Sequence, residues 1–167
     1  PHSIANNIVV ATLDKYLNPF RLLDFKKIRT TVQEWIQHLS IKTNDGRNAA
    51  NTLSGGNQQK IVLAKWLAMS PTVLILDGPT VGIDVGAKKA IYDTIQENAR
   101  NGMAIIIISD EIPELLATCD RILVMHGGRI TSEIAAADAD EEKLQALMEK
   151  RPAASGANTG ITERINA

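Results

Sequence analysis

The 167-residue sequence is poor in several features that mark specialised proteins. It has a single cysteine, Cys119, which excludes an internal disulfide and favours a reducing compartment. No apolar run approaches the roughly 18 residues of a membrane-spanning helix, since the longest, residues 104–108, is strand-sized. The net charge is only −1, which gives no support for binding to nucleic acid or to an anionic membrane.

The two ends of the sequence and its histidines carry little chemistry. The chain opens with Pro1 instead of methionine and has no basic, apolar leader, which predicts a fragment or a processed product. Residues 151–167 are rich in Ala, Ser, Gly, Asn and Thr, and we expect them to be disordered. The three histidines lie far apart, without the spacing of metal ligands.

The first part of the chain reads as helical. The spacing of its apolar residues predicts one helix over residues 3–16, capped by Ser3, and another over 24–39, capped by Asp24. A third helix is expected over residues 54–69.

The second part alternates strands with helices. Two short apolar runs, residues 72–76 and 104–108, are typical of buried parallel strands, with a helix over 87–100 between them. A helix over 111–119, a hairpin turning at Gly127-Gly128 and a helix over 140–150 follow. This order predicts an α/β fold in which a helical subdomain (1–70) precedes a parallel-sheet α/β layer with a hairpin (71–150) and the tail (151–167).

The segment from Leu53 to Lys60, with the sequence LSGGNQQK, is the most informative one. Ser54, Gly55 and Gly56 stand at the start of the third helix, where unpaired backbone N–H groups and the helix dipole favour an anion. Glycine permits close approach of the backbone to a phosphate. The Ser54 hydroxyl can either cap the helix or touch a phosphate oxygen, and a plain helix cap is the alternative reading.

An acidic residue ends the next apolar run. Asp77 follows Val73–Leu76, and an aspartate in this place holds Mg²⁺ through water in nucleotide-hydrolysing α/β sheets. The carboxyl ends of strands are also where ligands bind in open parallel sheets. A tight loop, residues 77–84, leads from Asp77 into the next helix.

Together these segments resemble the ATP-binding-cassette (ABC) ATPases, over about residues 1–150. Leu53–Lys60 is similar to the signature motif of that family, Val73–Asp77 to its Walker B strand and Gly82–Asp84 to its D-loop. The residues after Gly56 and around Asp84 look most like the second cassette of bacterial importers for ribose, xylose and galactose. The resemblance implies part of a P-loop NTPase domain.

The resemblance also implies cofactors, roles and partners. ATP would lie between the Walker A loop of one cassette and the signature helix of another, so that Ser54, Gly55 and Gly56 contact the γ-phosphate and Gln58 lies near the ribose or phosphates. Asp84 would communicate across the cassette pair, and Asp77 would hold Mg²⁺ through water. The expected partners are a second cassette, membrane-spanning permease subunits and, indirectly, a periplasmic sugar-binding protein, but no nucleic acid. The expected location is peripheral, at the cytoplasmic face of the inner membrane.

Three departures from the family pattern predict that the isolated chain is inactive. No Walker A loop, G-x-x-x-x-G-K-[ST], occurs in the sequence. Gly78 stands where the family has the glutamate that polarises water, and glycine cannot accept a proton. Asp110 stands in the place of the switch histidine, as the sugar-importer branch often has it. A sheet without its Walker A strand would expose an apolar edge, so we also expect self-association.

Two other functions fit parts of the pattern. One is a non-catalytic nucleotide-sandwich module that gives its signature motif in trans, which Gly78 and Asp110 favour. The other is an ABC ATPase of DNA repair or chromosome maintenance. Those chains place a long coiled coil before the signature, whereas only about fifty residues without a heptad run precede Ser54 here.

Overall fold

The computed structural model describes residues 2–83 and 85–150, which form two compact units separated between Glu111 and Ile112. The elements of the first unit are α1 (Ile4–Val9), α2 (Phe25–His38), α3 (Gly55–Leu67), β1 (Val73–Asp77), α4 (Val85–Arg100) and β2 (Ala104–Ile108). Those of the second are α5 (Ile112–Thr118), β3 (Arg121–His126), β4 (Arg129–Ala135) and α6 (Glu141–Glu149). Short 3₁₀ segments occupy residues 10–16, 50–52 and 136–138.

The helix expected over residues 3–16 begins as predicted but breaks half-way. Ser3 caps α1, its hydroxyl accepting a hydrogen bond from the Asn6 N–H at 3.1 Å. From Val10 the chain continues as a 3₁₀ segment, and Thr12 leaves helical geometry with φ −137°. The single-helix prediction was wrong because β-branched residues crowd this stretch and the buried Thr12 hydroxyl donates to the Val9 carbonyl, competing with the helical ladder.

Helices α1, α2 and α3 of the first unit share one core. The Asp24 carboxylate caps α2 as predicted, accepting from the N–H groups of Lys26 and Lys27 at 3.0 Å each. One face of each helix is buried, and the core that they build extends to β1 and α4. Its buried members include Ile4, Ile8, Val32, Ile61, Ala64, Leu74 and Ile91.

Strands β1 and β2 pair in parallel, with Val73 opposite Ala104 and Asp77 opposite Ile108. Leu74 and Leu76 face the core, but the side chains on the opposite face of the sheet remain exposed, with Ile75 63% and Ile106 51% accessible. The prediction that both strands are buried on both faces was therefore wrong. A continuous apolar run does not reveal whether a second layer covers the sheet.

The second unit is built on the predicted hairpin. β3 and β4 pair antiparallel around Gly127 and Gly128, whose φ values of 56° and 76° suit a tight turn that glycine makes without strain. Ile122 and Val124 face Leu144 of α6 in a small buried cluster. The helix expected over residues 140–150 is α6, and Asp140 caps it by accepting from the Lys143 N–H at 2.7 Å.

The division expected at residues 70 and 71, between a helical subdomain and an α/β layer, stays a prediction. Helix α3 lies before that boundary and α4 after it, yet both contribute to the same buried core. The tail at 151–167, expected to be disordered, lies outside the described residues. Within residues 2–83 and 85–150, no helix is both long and apolar enough to cross a membrane.

Candidate functional site

The start of α3 is not closed by its capping residue. Ser54 has the extended backbone of an N-cap, but its side chain makes no hydrogen bond to the helix backbone. Instead its Oγ accepts from Asn57 Nδ2 at 2.9 Å. Within the part of the chain that the structure describes, the N–H groups of Gly55, Gly56 and Asn57 have no acceptor. The positive end of α3 is thus open to an anion.

A second segment lies close to the start of α3 at Gly55. A Cβ atom built on Gly55 would lie 3.9 Å from the carbonyl oxygen of Gly82, in the loop that follows β1. Gly56 is buried, whereas Ser54 and Gly55 are exposed. The signature segment and the predicted D-loop therefore meet within one unit. Asp84 itself lies outside the described residues, so its role stays a prediction.

The Gln58 side chain is exposed but already makes a hydrogen bond within its own segment. Its side-chain Nε2 donates to the Leu53 carbonyl at 2.7 Å, and its backbone N–H donates to the Ser54 carbonyl at 2.9 Å. The side chain is directed back along the segment that precedes α3. The second Nε2 hydrogen and Oε1 are not used in this hydrogen bond, and the contact of Gln58 with a nucleotide stays a prediction.

Asp77 presents an exposed carboxylate at the carboxyl end of β1. The described residues contain no group of three or more His, Cys, Asp or Glu side chains able to hold a metal ion. Mg²⁺ commonly takes only one or two protein carboxylates and completes its shell with water and substrate phosphates. Asp77 fits such an ion as a single ligand, provided that a nucleotide supplies the rest.

Neither of the two predicted catalytic positions holds the side chain that the family pattern places there. Gly78 has φ +53°, and a Cβ there would lie 2.9 Å from Val81 Cγ2. Its N–H donates to the Ile108 carbonyl at 2.9 Å, which ties the loop to the end of β2. Asp110 is exposed in the bend after β2. A carboxylate at position 110 cannot donate to a phosphate unless it is protonated.

Two contacts that the sequence did not reveal join α4 to neighbouring segments. Thr80 is fully buried, and its hydroxyl lies 3.1 Å from the Tyr92 hydroxyl of α4. Lys88 Nζ donates to both carboxylate oxygens of Glu111, at 2.8 and 2.5 Å, which joins α4 to the segment after β2. The partners are 12 and 23 residues apart in sequence, so no local pattern could have indicated them.

Asn57 is the site residue that sequence reasoning missed. Its three-residue separation from Ser54 is the spacing of the first and fourth positions of a capping pair, and that spacing was the available signal. In the structure its side chain contacts both Ser54 and the backbone of Lys42.

A family model described as ABC transporter matches residues 2–81, a stretch that holds the signature segment and β1. The ribose import ATP-binding proteins of Clostridium perfringens and Bacillus subtilis are 46% and 47% identical over 145 residues, 87% of this chain. The chain belongs to the ABC transporter family.

Further comparisons agree with that ABC assignment. The galactose/methyl galactoside import ATP-binding protein of Haemophilus influenzae is 43% identical over 148 residues. This chain spans only 29% of the length of each of these three relatives.

Solved structures match the ABC fold. A dimeric ATP-binding cassette bound to ADP and phosphate aligns with a TM-score of 0.69 at 20% identity, covering 81% of this chain and 57% of that one. An inward-facing metal-chelate type ABC transporter aligns with a TM-score of 0.71 at 18% identity, covering 87% and 58% of the two chains. The fold is that of part of an ABC ATPase cassette.

Proposed function

We propose that this chain supplies the signature-bearing side of an ATP site in the ATP-binding subunit of a sugar ABC importer. The observation that carries the proposal is the open start of α3, where three N–H groups, the helix dipole and the Ser54 hydroxyl are available to the γ-phosphate. The names of relatives 43% to 47% identical to the chain support import of ribose, galactose or a similar sugar.

In this proposal the two cassettes have different roles at the ATP site. The partner cassette holds the nucleotide with its phosphate-binding loop, because this sequence contains no such loop. The start of α3 closes over the γ-phosphate, so nucleotide binding joins the two cassettes. Mg²⁺, when bound, would neutralise charge on the phosphates, and Asp77 is the residue placed to hold it through water.

The chain by itself is proposed to be catalytically silent. Gly78 cannot abstract a proton from water, and nothing in the sequence grips the phosphates in cis. Calorimetry with Mg-ATP should therefore detect no binding to the purified chain tighter than a Kd of about 1 mM, a free energy of about −4 kcal/mol. Micromolar binding, or ATP turnover lost on Asp77→Ala, would show that another loop holds phosphate.

Association with a partner cassette tests the positive side of the proposal. The chain would be mixed with a sugar-importer cassette that carries the G-x-x-x-x-G-K-[ST] loop, and sedimentation velocity would be recorded with and without Mg-ATP. We expect association that requires ATP and is lost on Gly55→Asp, which puts a negative charge where the γ-phosphate should lie. Asn101→Asp, at an exposed position after α4 in the same unit, is the charge-matched control. ATP-independent association, or equal effects of the two variants, would contradict the proposal.

An exposed apolar loop supports the expected membrane-spanning partner. Phe20, Leu22 and Phe25 are 84%, 65% and 74% accessible. The loop is nevertheless held in one shape, because the Asn18 carboxamide accepts from the N–H groups of Phe20 and Leu22 at 2.9 and 3.0 Å. Exposed aromatic side chains on a loop whose backbone is held by hydrogen bonds are typical of interaction surfaces.

We propose that this loop, residues 17–25, contacts a permease subunit, with the sugar-binding protein reached only through the permease. That contact would place the chain at the cytoplasmic face of the inner membrane. A photocrosslinker at position 20 in the assembled importer should capture a permease subunit. One at Gln96, on α4, serves as the comparison position.

A further inference from the structure

Asn57, the third residue of α3, bridges two segments that are separated in sequence. Its Nδ2 donates to Ser54 Oγ at 2.9 Å, and its Oδ1 accepts from the backbone N–H of Lys42, also at 2.9 Å. Lys42 lies in the loop that follows α2. Asn57 therefore connects the end of α2 to the one hydroxyl at the start of α3.

The Lys42 contact fixes which end of the Asn57 carboxamide faces Ser54. A backbone N–H can only donate, so the oxygen of the carboxamide must face Lys42 and the nitrogen must face Ser54. Ser54 Oγ is consequently the acceptor in its contact with Asn57. The single hydrogen of the hydroxyl is not used in that contact and can be donated elsewhere.

This arrangement differs from an ordinary capping pair. In a capping box the two side chains satisfy each other's backbone N–H groups. Here the side chains bond to each other, and the N–H groups of the first turn stay open. The bridge thus leaves one hydroxyl hydrogen and the first-turn N–H groups of α3 all available to a single anion.

The loop that holds Asn57 is itself anchored. The buried Lys60 side chain, on the second turn of α3, donates to the Ser40 carbonyl at 3.3 Å. Ser40 has φ 49° and ends α2, and the Ile41 N–H closes back on the Ile36 carbonyl at 2.9 Å. The position of the α2 end therefore determines where Asn57 can place the Ser54 side chain.

We infer that Asn57 is a positioning residue that directs the hydrogen of the Ser54 hydroxyl toward the bound phosphate. The inference rests on the proposed function, in which Ser54 faces the γ-phosphate. It assigns to Asn57 the role of a hydrogen-bond donor to Ser54, not merely that of a helix residue of suitable size.

Asn57→Asp and Asn57→Ala separate positioning from a structural role. Aspartate has the same shape and still accepts from the Lys42 N–H, and a carboxylate in the first turn of a helix is favourable. It cannot donate to Ser54 and accepts the hydroxyl hydrogen instead, turning it away from the phosphate. Alanine loses both contacts but leaves the hydroxyl free to rotate. A structural role predicts that alanine is the more damaging change, whereas positioning predicts that aspartate is.

The experiment measures the Kd of the ATP-dependent association between the chain and the P-loop cassette, alongside the melting temperature of each variant. Ser54→Ala should weaken association about 10- to 100-fold, as expected for a hydrogen bond to a charged group. Asn57→Ala should weaken it about threefold to tenfold, and Asn57→Asp at least tenfold while melting within about 2 °C of the unaltered chain. Gln59→Glu places the same charge two residues further along α3 and controls for charge alone.

A double-mutant cycle identifies Ser54 as the intermediary. In the Ser54→Ala background, Asn57→Ala should change Kd less than twofold, and the effect of Asn57→Asp should shrink at least fivefold. If Asn57→Asp associates as well as the unaltered chain, or if its effect is unchanged without the Ser54 hydroxyl, positioning by Asn57 is wrong. If Ser54→Ala itself has no effect, the proposed function fails and not the Asn57 bridge alone.

Discussion

At the scale of single residues, the backbone and the surroundings of position 78 both favour glycine over a residue with a side chain. Its φ of +53° lies in the left-handed region, and Val81 Cγ2 occupies the space next to its missing Cβ at 2.9 Å. The glutamate that the family pattern places here would have to adopt that conformation and displace Val81. Restoring the acid at position 78 is therefore a structural change as well as a chemical one.

Gly78→Ala should destabilise the chain for two separable reasons. The left-handed conformation costs about 1–2 kcal/mol for a residue with Cβ, and crowding against Val81 adds about 1 kcal/mol. Gly127→Ala has nearly the same φ, 56°, but open space around its Cβ, and should show the conformational cost alone. Urea denaturation of both variants measures the difference, and Val81→Ala should recover it in the Gly78→Ala background. Equal destabilisation by the two alanines would mean that the Val81 side chain moves away from a Cβ at position 78 without a measurable energetic cost.

The Arg47 side chain, through a hydrogen bond, lowers the pKa of Asp45 from its ordinary value of 3.8 to about 2. The Arg47 Nε and Nη2 atoms lie 2.8 and 2.5 Å from Asp45 Oδ2, and the Arg47 backbone N–H donates to Oδ1 at 2.8 Å. Because the folded pKa is the lower one, this interaction contributes stability fully above about pH 4. The contribution falls as pH drops and is lost below about pH 2.

NMR titration of the Asp45 carboxyl carbon tests this effect. The midpoint should lie near pH 2 in the unaltered chain, and Arg47→Ala should move it back toward 3.8. Arg100→Ala, which removes an equal charge at the end of α4, should leave it in place. A midpoint that does not respond to Arg47→Ala would assign the shift to another group.

At the scale of elements, the sequence predicted helix starts better than helix continuity. Ser3 and Asp24 cap their helices as expected, because a cap depends on one side chain and the next two or three N–H groups. The break at Thr12 was not predicted, since it depends on the Thr12 hydroxyl being buried and bonded to the Val9 carbonyl. Ser54 has the residue type and the extended backbone of an N-cap, yet its Oγ accepts from the Asn57 side chain and not from a backbone N–H of the helix.

The ion pair between Lys88 and Glu111 joins two elements and should be measurable. Lys88 is 20% and Glu111 44% exposed, whereas the neighbouring pair Lys89–Asp93, within α4, is 78% and 59% exposed. Burial and a fixed geometry should give the first pair a coupling of about 1 kcal/mol and the second about 0.3 kcal/mol. Double-mutant cycles by urea denaturation compare them, and 1 M salt should reduce the exposed pair more. A coupling no larger for Lys88–Glu111 would contradict a role in joining α4 to β2.

At the scale of the whole molecule, the sheet of the first unit has an uncovered apolar face. The side chains on it that are more than half exposed are Val73, Ile75, Ile106 and Ile108. Neither edge left open by the β1–β2 pair is joined by a strand from the described residues. The sequence predicted an exposed edge, and the structure adds an exposed face of four large aliphatic residues.

This face should drive self-association of the isolated chain. Sedimentation velocity over a range of concentrations should show a mass above 18.1 kDa that increases with concentration. Ile75→Lys and Ile106→Lys should restore the monomer, because a buried ammonium without a partner opposes association. Val62→Lys, at a side chain 44% exposed on α3, is the control. A monomer at every concentration would contradict self-association through this face.

The sequence by itself determined the order of elements, most of their caps, the signature and Walker B segments and the absence of a phosphate-binding loop. Each of these depends on residue type and spacing over a few positions. Only the tertiary structure decided that Ser54 leaves its helix uncapped, that Asn57 joins it to Lys42, and that Gly82 lies against Gly55. These contacts join atoms far apart along the chain, and their geometry follows from how α2, α3 and the loop after β1 pack together.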